Sequence, residues 1–458
     1  MLEARLNESV LLRFAGRFWA RFLAAARESF CCRALLNSRI LARLLKDLPL
    51  ASGLLIGLLF VIPHDLFNNL LSFAVLLLVT GLVLLGVLNG SVKGFAMHRM
   101  GGYMAVFWFL VFLNGLVSPS FSLSLRFLLF HLTAFLGLLV TRTALTDRRG
   151  LTRFVAALLA AAALSGLYGC FQSVTGVKVV DSQVDVLLNI NMPGRIYSFF
   201  ENPNNFAEIL VLTLPLFAAL FFAAETMPGK RAAFLAALPA AASLLLTFSR
   251  SGWMAFGLSV VIFFYLTHRW VVPVLLALAL AAVPVLPASI RDRVFSMFTG
   301  SDSSIQYRAF IRGIYRPEVS AHWLGGSGLG SDVVRSGLLR YYEIHSELEI
   351  PWWRIAPHAH NLYLQIWAEL GIAGAASFAG AMLTFFRRGV SALFSALKRN
   401  YIAAAGLAGL AGALVIGFVE YVWFYPRAML MFWLVAGITL SALRLGGGEE
   451  PVSGPEGA

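Results

Sequence analysis

The sequence predicts an all-α, polytopic membrane protein with about twelve transmembrane helices and a large extracytoplasmic loop between spans nine and ten. Three observations predict it. Mean hydropathy is +0.78. Of 458 residues, 59% are hydrophobic and only 13% are charged. Apolar runs close to the ~20 residues that cross a bilayer recur along the chain, separated by short charged loops. Hydrocarbon leaves no partner for an open backbone, so such runs read as helices.

The first 47 residues carry Arg5, Arg13, Arg17, Arg21, Arg27, Arg33, Arg39, Arg43 and Lys46 among Leu, Phe and Ala. That pattern reads as a basic amphipathic segment on an anionic, cytoplasmic membrane face. The spans follow at roughly 48–63, 66–88, 101–117, 121–141, 151–175, 205–224, 232–248, 251–267, 270–287, 358–386, 401–424 and 427–444. The organisation is therefore 1–47 cytoplasmic segment, 48–287 spans one to nine, 288–357 extracytoplasmic loop over an active site, 358–444 spans ten to twelve, and 445–458 a Gly/Pro/Glu-rich disordered tail.

With the N-terminus inside, Lys93, Arg99, Arg142, Arg148, Arg149, Lys230, Arg231, Arg269, Arg387, Arg388, Lys398, Arg399 and Arg444 all fall in cytoplasmic segments. The outer turns 64–65 and 118–120 carry no Lys or Arg. The net charge of +13 is thus a topology signal and not a nucleic-acid footprint. Cys31, Cys32 and Cys170 form neither a metal spacing nor a disulfide framework; acylation of Cys31-Cys32 is the alternative to ordinary thiols.

Three outer segments hold the candidate chemistry. In 176–204, Asn202 is suited to cap a helix with Pro203 at its first position. The free N–H groups of such a helix start favour an anion, and Arg195 and Asn204 lie beside it in sequence. The plainer reading is a capped helix with a surface arginine. In the tight turn Phe248-Ser249-Arg250-Ser251-Gly252, Arg250 is either a snorkelling side chain or a phosphate clamp, since a guanidinium fork matches phosphate oxygens.

The third segment, 288–357, contains eight arginines. Loops of this length escape the charge rule, so these arginines need another explanation. Arg308 and Arg312 sit one turn apart on an amphipathic stretch. Gly325-Gly326-Ser327-Gly328-Leu329-Gly330 lacks the Lys-Ser/Thr of a nucleotide loop and reads as a flexible turn over the active site.

Next comes Pro357-His358-Ala359-His360-Asn361, opening an apolar run. Helical spacing puts His360, Leu364, Trp367, Gly371 and Gly374 on one face, with the glycines admitting a second helix. The plainer reading is a capped helix start. No further ligand lies at zinc-like spacing from His358 and His360, so no metal and no cofactor are expected. Glu208, Glu369 and Glu420 are costly in a bilayer unless partnered. Arg126 and His131 are the candidate partners in structural contacts, with a proton relay as the alternative.

Together, His360-Asn361, Gly371-x-x-Gly374, Asn202-Pro203-Asn204, Ser249-Arg250-Ser251-Gly252 and the long loop before the histidine resemble the signature of the O-antigen ligase and polymerase superfamily. The resemblance covers roughly residues 150–385 and implies a GT-C-like membrane fold. It implies transfer of a glycan from an undecaprenyl-diphosphate carrier to a glycan, lipid A-core or other envelope acceptor. The outer leaflet of a bacterial inner (plasma) membrane is the implied location, with neither nucleotide sugar nor metal. By resemblance, Arg195 and Arg250 hold the diphosphate and His360 is the essential histidine; Asn202, Asn204, Arg308, Asn361 and Gly371 support them. Ala375-Ala376 stand where ligases often have Thr-Thr, which leaves ligase and polymerase open.

The chemistry is consistent with those roles. A departing diphosphate needs paired arginines and a helix N-terminus, and an acceptor hydroxyl needs a base near neutral pH. A twelve-span transporter is the competing class; Asp147-Arg148-Arg149-Gly150 resembles a carrier turn, but no repeated halves accompany it. A metal-using oligosaccharyltransferase would want an acidic pair in an outer loop, and only Glu347-x-Glu349 comes near.

Overall fold

A computed structural model of the protein describes residues 21, 24–29, 34–92, 101–177, 194–285, 291, 303–396 and 399–446. Most of the basic N-terminal segment, Cys31, Cys32, Lys93, Arg99, Lys398 and the tail from 447 lie outside them, as do 178–193 and most of 286–302. Every regular element among the described residues is helical. A short α1 (Arg39–Lys46) precedes α2 (Leu48–Leu58), α3 (Asn69–Leu88), α4 (Gly102–Leu116), α5 (Phe121–Ala144) and α6 (Arg148–Thr175). Then come α7 (Pro203–Ala223), α8 (Met227–Leu246), α9 (Arg250–His268) and α10 (Val271–Ala282). Two helices of the long loop, α11 (Ser303–Ala321) and α12 (Ser331–Ile344), lead into α13 (Leu362–Ser395), α14 (Tyr401–Ile416) and α15 (Pro426–Gly446).

Twelve of these helices coincide with the twelve expected spans. Eight are long and apolar enough to cross a membrane, and α2, α4, α10 with its short extension, and α14 are shorter apolar helices. The protein is an all-α, polytopic membrane protein.

The centre of the bundle is α7, α14 and α15, whose faces are almost wholly buried. The small residues of α14 explain why. A Cβ on Gly412 would stand 2.4 Å from the Ser259 hydroxyl and 2.8 Å from Val211, so α7 and α9 close onto α14 only because it has none. Ser259 also donates to the Ala408 carbonyl at 2.9 Å, tying α9 to α14.

The long loop is a folded cap. Ile311, Ile314, Tyr315, Val334 and Leu338 of α11 and α12 form a second apolar core with Ile355, Ala356 and Ala359. An Arg126–Asp332 ion pair of 2.7 Å joins α12 to α5. The Gly-rich stretch 325–330 is not a cover over the site: Ser327, Leu329 and Ser331 are buried. It is wedged against a kink in α13. At Gly371 the backbone leaves the helix (φ 67°, ψ −173°), freeing carbonyls that need donors. Ser327 N–H donates to Ala368 O at 2.8 Å and Gly328 N–H to Glu369 O at 3.3 Å. Ile372 N–H donates in turn to Trp323 O at 2.8 Å. Gly371 therefore admits this loop rather than the second helix expected there: a Cβ would meet the Leu324 carbonyl oxygen at 2.0 Å.

Gly371→Ala adds that clash to a left-handed backbone and should destabilise the fold by ~2 kcal/mol or more. Gly257→Ala, with no atom within 4 Å of the new Cβ, should be neutral or stabilising by up to ~1 kcal/mol. Thermal unfolding of both variants in detergent checks the contrast; an unchanged midpoint for Gly371→Ala would contradict the wedge.

Candidate functional site

The candidate residues collect at one end of the bundle around the α14–α15 connection, residues 417–425. Its backbone is tied to the start of α13: Leu362 N–H donates to Gly417 O at 2.7 Å, and Asn361 Nδ2 donates to Phe418 O at 2.9 Å. Asn361 is the N-cap of α13, its Oδ1 accepting from Leu364 N–H at 2.8 Å. His360 therefore lies just outside the helix, not on its face with Leu364 and Trp367. Its φ of 46° is left-handed, a conformation costing a non-glycine residue ~1 kcal/mol or more.

That strain aims the ring. His360 Nδ1 is 3.0 Å from Glu420 Oε1, and Arg308 faces the other carboxylate oxygen at 4.0 Å. The His360 backbone N–H donates to His358 Nδ1 at 3.2 Å, so that nitrogen acts as an acceptor and carries no proton. The ionised Glu420 Oε1 accepts from His360 Nδ1–H, and in that tautomer Nε2 is the nitrogen left as an acceptor. His358 is buried, packed on Phe424 with ring centroids 4.5 Å apart and on His360 at 4.2 Å. Tyr307 of α11 meets the His360 ring edge-on at 5.9 Å.

Burial lowers the His358 imidazole to about 4, with the Glu420 carboxylate opposing and the charges of His360 and Arg308 adding to the fall. Burial pushes the Glu420 carboxyl up, but the His360 hydrogen bond and the charges of His360, His358 and Arg308 outweigh it and bring it to about 2. Near neutral pH, Glu420 is a buried anion and His358 is neutral. His358, His360 and Glu420 are close enough together to hold a metal ion. His360 Nδ1 and His358 Nδ1 are already engaged, and the Arg308 cation stands beside the carboxylate, a poor neighbour for a second cation.

The second half of the site is the start of α7. Asn202 Oδ1 accepts from the N–H groups of Asn204 and Asn205, both at 2.9 Å. Arg195 ties this start to the α8–α9 turn: its Nη2 donates to Asn204 Oδ1 at 2.7 Å and its Nε to Thr247 O at 2.8 Å. Arg250, half-buried, is the first residue of α9, three positions after Thr247. Arg195 thus stands against a helix N-terminus, a setting suited to an anion, and Arg250 opens the helix that follows the turn it holds.

The two halves share one connection. Asn202 Nδ2 donates to the Tyr425 hydroxyl, and Tyr425 follows Glu420 by five residues, a reach of at most ~18 Å. Burial, then the charges of Glu420, Glu208 and Glu201, keep the Tyr425 phenol protonated far above its ordinary range. Arg427, wholly buried, locks the junction. It donates to Ile62 O and Phe199 O, both at 2.8 Å, and pairs with Glu201 at 3.2 Å.

Several expectations need correction. Glu420 lies outside the α14 helix, because that helix ends at Ile416 and not near 424. Arg126 and His131 are not the carboxylate partners: Arg126 pairs with Asp332, and His131 Nδ1 bonds Phe127 O at 2.9 Å. Glu369 accepts from Gln365 at 2.8 Å and Tyr421 at 3.2 Å, while Glu208 is buried with neither oxygen hydrogen-bonded among the described residues. Glu420, His358, Tyr425 and Arg427 were not singled out as site residues. An acid in the eleventh predicted span and an arginine opening the twelfth are the available signal, but nothing in their spacing pairs them with residue 360.

Residues 234–379 match the family model of O-antigen ligase. The match takes in Arg250, Arg308, His360 and Gly371, and it bears out the resemblance to the O-antigen ligase and polymerase superfamily. It supports a membrane enzyme of glycan transfer in general, with lipid-linked glycan and acceptor substrates. No curated protein matches the chain.

Both perturbed groups give the same pH dependence. Between about pH 6.5 and 4 the unfolded chain protonates His358 while the folded chain does not, and below about 4.5 the same holds for Glu420 down to about 2. Stability therefore rises with pH across both windows. The His358 share is ~3 kcal/mol in order of magnitude. His358→Gln should flatten the loss between pH 6.5 and 4, and Glu420→Gln should flatten the further loss below it. Unfolding midpoints in detergent across this range would show it; parallel curves for wild type and His358→Gln would contradict the assignment.

Proposed function

We propose that the protein transfers a glycan from an undecaprenyl-diphosphate carrier to an envelope acceptor at the outer leaflet of the bacterial inner (plasma) membrane. The observation that carries this reading is the junction at 417–425, where a carboxylate-bound histidine and an arginine-lined helix N-terminus meet. That pairing matches the two demands of the reaction, a base for the acceptor and a clamp for the leaving diphosphate.

In a single inverting displacement, the acceptor oxygen attacks the anomeric carbon and its proton passes to His360 Nε2. The bond from that carbon to the diphosphate oxygen breaks, and the electron pair leaves with the diphosphate. Arg195, Arg250 and the positive end of the α7 dipole receive that charge. Glu420 holds the imidazole in one tautomer and stabilises the imidazolium that forms. Asn202 and Asn204 set the helix start and the Arg195 guanidinium, Arg308 balances Glu420, and Asn361 and Gly371 fix the backbone on either side.

Purified protein given a synthetic undecaprenyl-diphosphate oligosaccharide in EDTA tests the reading. Carrier consumption is expected, with lengthened carrier-linked chains indicating a polymerase and transfer to a separate lipid or glycan indicating a ligase. His360→Ala should lose ~10²-fold or more in kcat, and Arg250→Ala a comparable factor. Glu420→Gln should lose ~10-fold or more while still consuming carrier. Full transfer by both His360→Ala and Arg250→Ala would refute the assignment. Strict dependence on added metal would reassign His358, His360 and Glu420 as ligands.

A further inference from the structure

We infer that the cap carries a saccharide-binding groove, separate from the diphosphate clamp, that holds sugar units several residues away from the reacting bond. This inference rests on the glycan-transfer reading above. The groove, of about 320 Å³, is lined by Tyr342, Ser346, Glu349, Ile350, Pro351 and Trp353. That volume is in the range of small-ligand sites.

The lining has the chemistry of sugar recognition. Trp353 is 68% exposed, a large aromatic face left to solvent on a well-packed cap. Tyr342 is held in place by its hydroxyl, which donates to Ile314 O at 3.1 Å. Flat aromatic faces match the C–H faces of pyranose rings, while Glu349 and Ser346 offer acceptors and a donor to ring hydroxyls. Glu349 adopts a left-handed backbone, φ 50°, at the turn that forms the groove wall. A neighbouring carboxylate, Glu347, pairs with His345 at 3.1 Å. Glu349 is the one charged side chain of the lining, and its carboxylate disfavours an anionic headgroup or the diphosphate itself.

The groove is also fixed relative to the base. Trp353 precedes His360 by seven residues, a span of at most ~25 Å. The intervening chain is pinned: Arg335 Nε donates to Ile355 O at 3.1 Å, Tyr315 to Ala356 O at 3.4 Å, and Ala359 N–H to Gln365 Oε1 at 2.8 Å. An oligosaccharide in the groove would thus be held at a set distance from His360 Nε2.

Two measurements on the full-length protein test this. First, a photoreactive benzoylphenylalanine placed at Ser346, in cells also carrying His360→Ala to stop turnover, should yield glycan adducts on irradiation. A diphosphate-lipid in the adduct identifies the donor chain as occupant, and its absence identifies the acceptor. Phospholipid adducts alone would overturn the proposal and make Trp353 a membrane-interface anchor. Second, in the purified transfer assay, Trp353→Ala and Glu349→Gln should each raise KM for a long-chain substrate about tenfold, more than they lower kcat. Unchanged KM in an enzyme whose wild type transfers glycan would overturn the groove alone, whereas a wild type that transfers nothing would overturn the transfer reading.

Discussion

Glu420 is 6% exposed and ionised, and few arrangements tolerate a buried anion. Its neighbours are what that constraint requires. One oxygen accepts from His360 Nδ1, the other faces Arg308, and its own connection supplies Tyr421 N–H to Oε1 at 3.1 Å. These partners come from the cap, from the start of α13 and from the α14–α15 connection. Satisfying one carboxylate thus assembles three distant segments, and the left-handed His360 is the local cost of that assembly.

Arg427 performs the parallel task on the other side. Wholly buried at the start of α15, it engages backbone carbonyls from the α2–α3 connection and from the run into α7, together with the Glu201 carboxylate. Phe67 and Phe200 flank its guanidinium at 4.3 and 4.6 Å. Both buried charges flank 421–425, so His360 and the start of α7 are positioned by one short connection whose ends are fixed electrostatically. The close packing of α14 against α7 and α9 supplies the rigid floor beneath it.

The twelve spans were legible because hydropathy over ~20 residues is a one-dimensional signal. The capping of α7 by Asn202 was legible for the same reason: a cap and its helix are neighbours in sequence. Residue pairs were not. His360 and Glu420 are 60 positions apart, and no periodicity relates them. A helix-face reading of His360 through Gly374 failed at both ends. Asn361 stops the helix one residue after the histidine, and Gly371 breaks it to receive Trp323 and Leu324. The Gly-rich stretch read as a flexible turn over the active site, because glycines do not say what approaches them. Here it is the carbonyl edge of a kinked helix.

Separating the two charged halves has a chemical rationale. A base is most useful where developing positive charge is stabilised, and a leaving diphosphate is helped where negative charge is. In the proposed reaction, a Glu420 placed beside Arg195 would repel the diphosphate, and Arg195 would oppose formation of an imidazolium. Here the carboxylate is turned toward His360 and Arg308, while Arg195 is turned toward Asn204 and the α8–α9 turn. The neutral pair Asn202 and Tyr425 stands between them. Bridging the halves with an amide and a protonated phenol transmits position without transmitting charge. That is the arrangement expected of a site that must gain a proton at one point and release an anion at another in the same step.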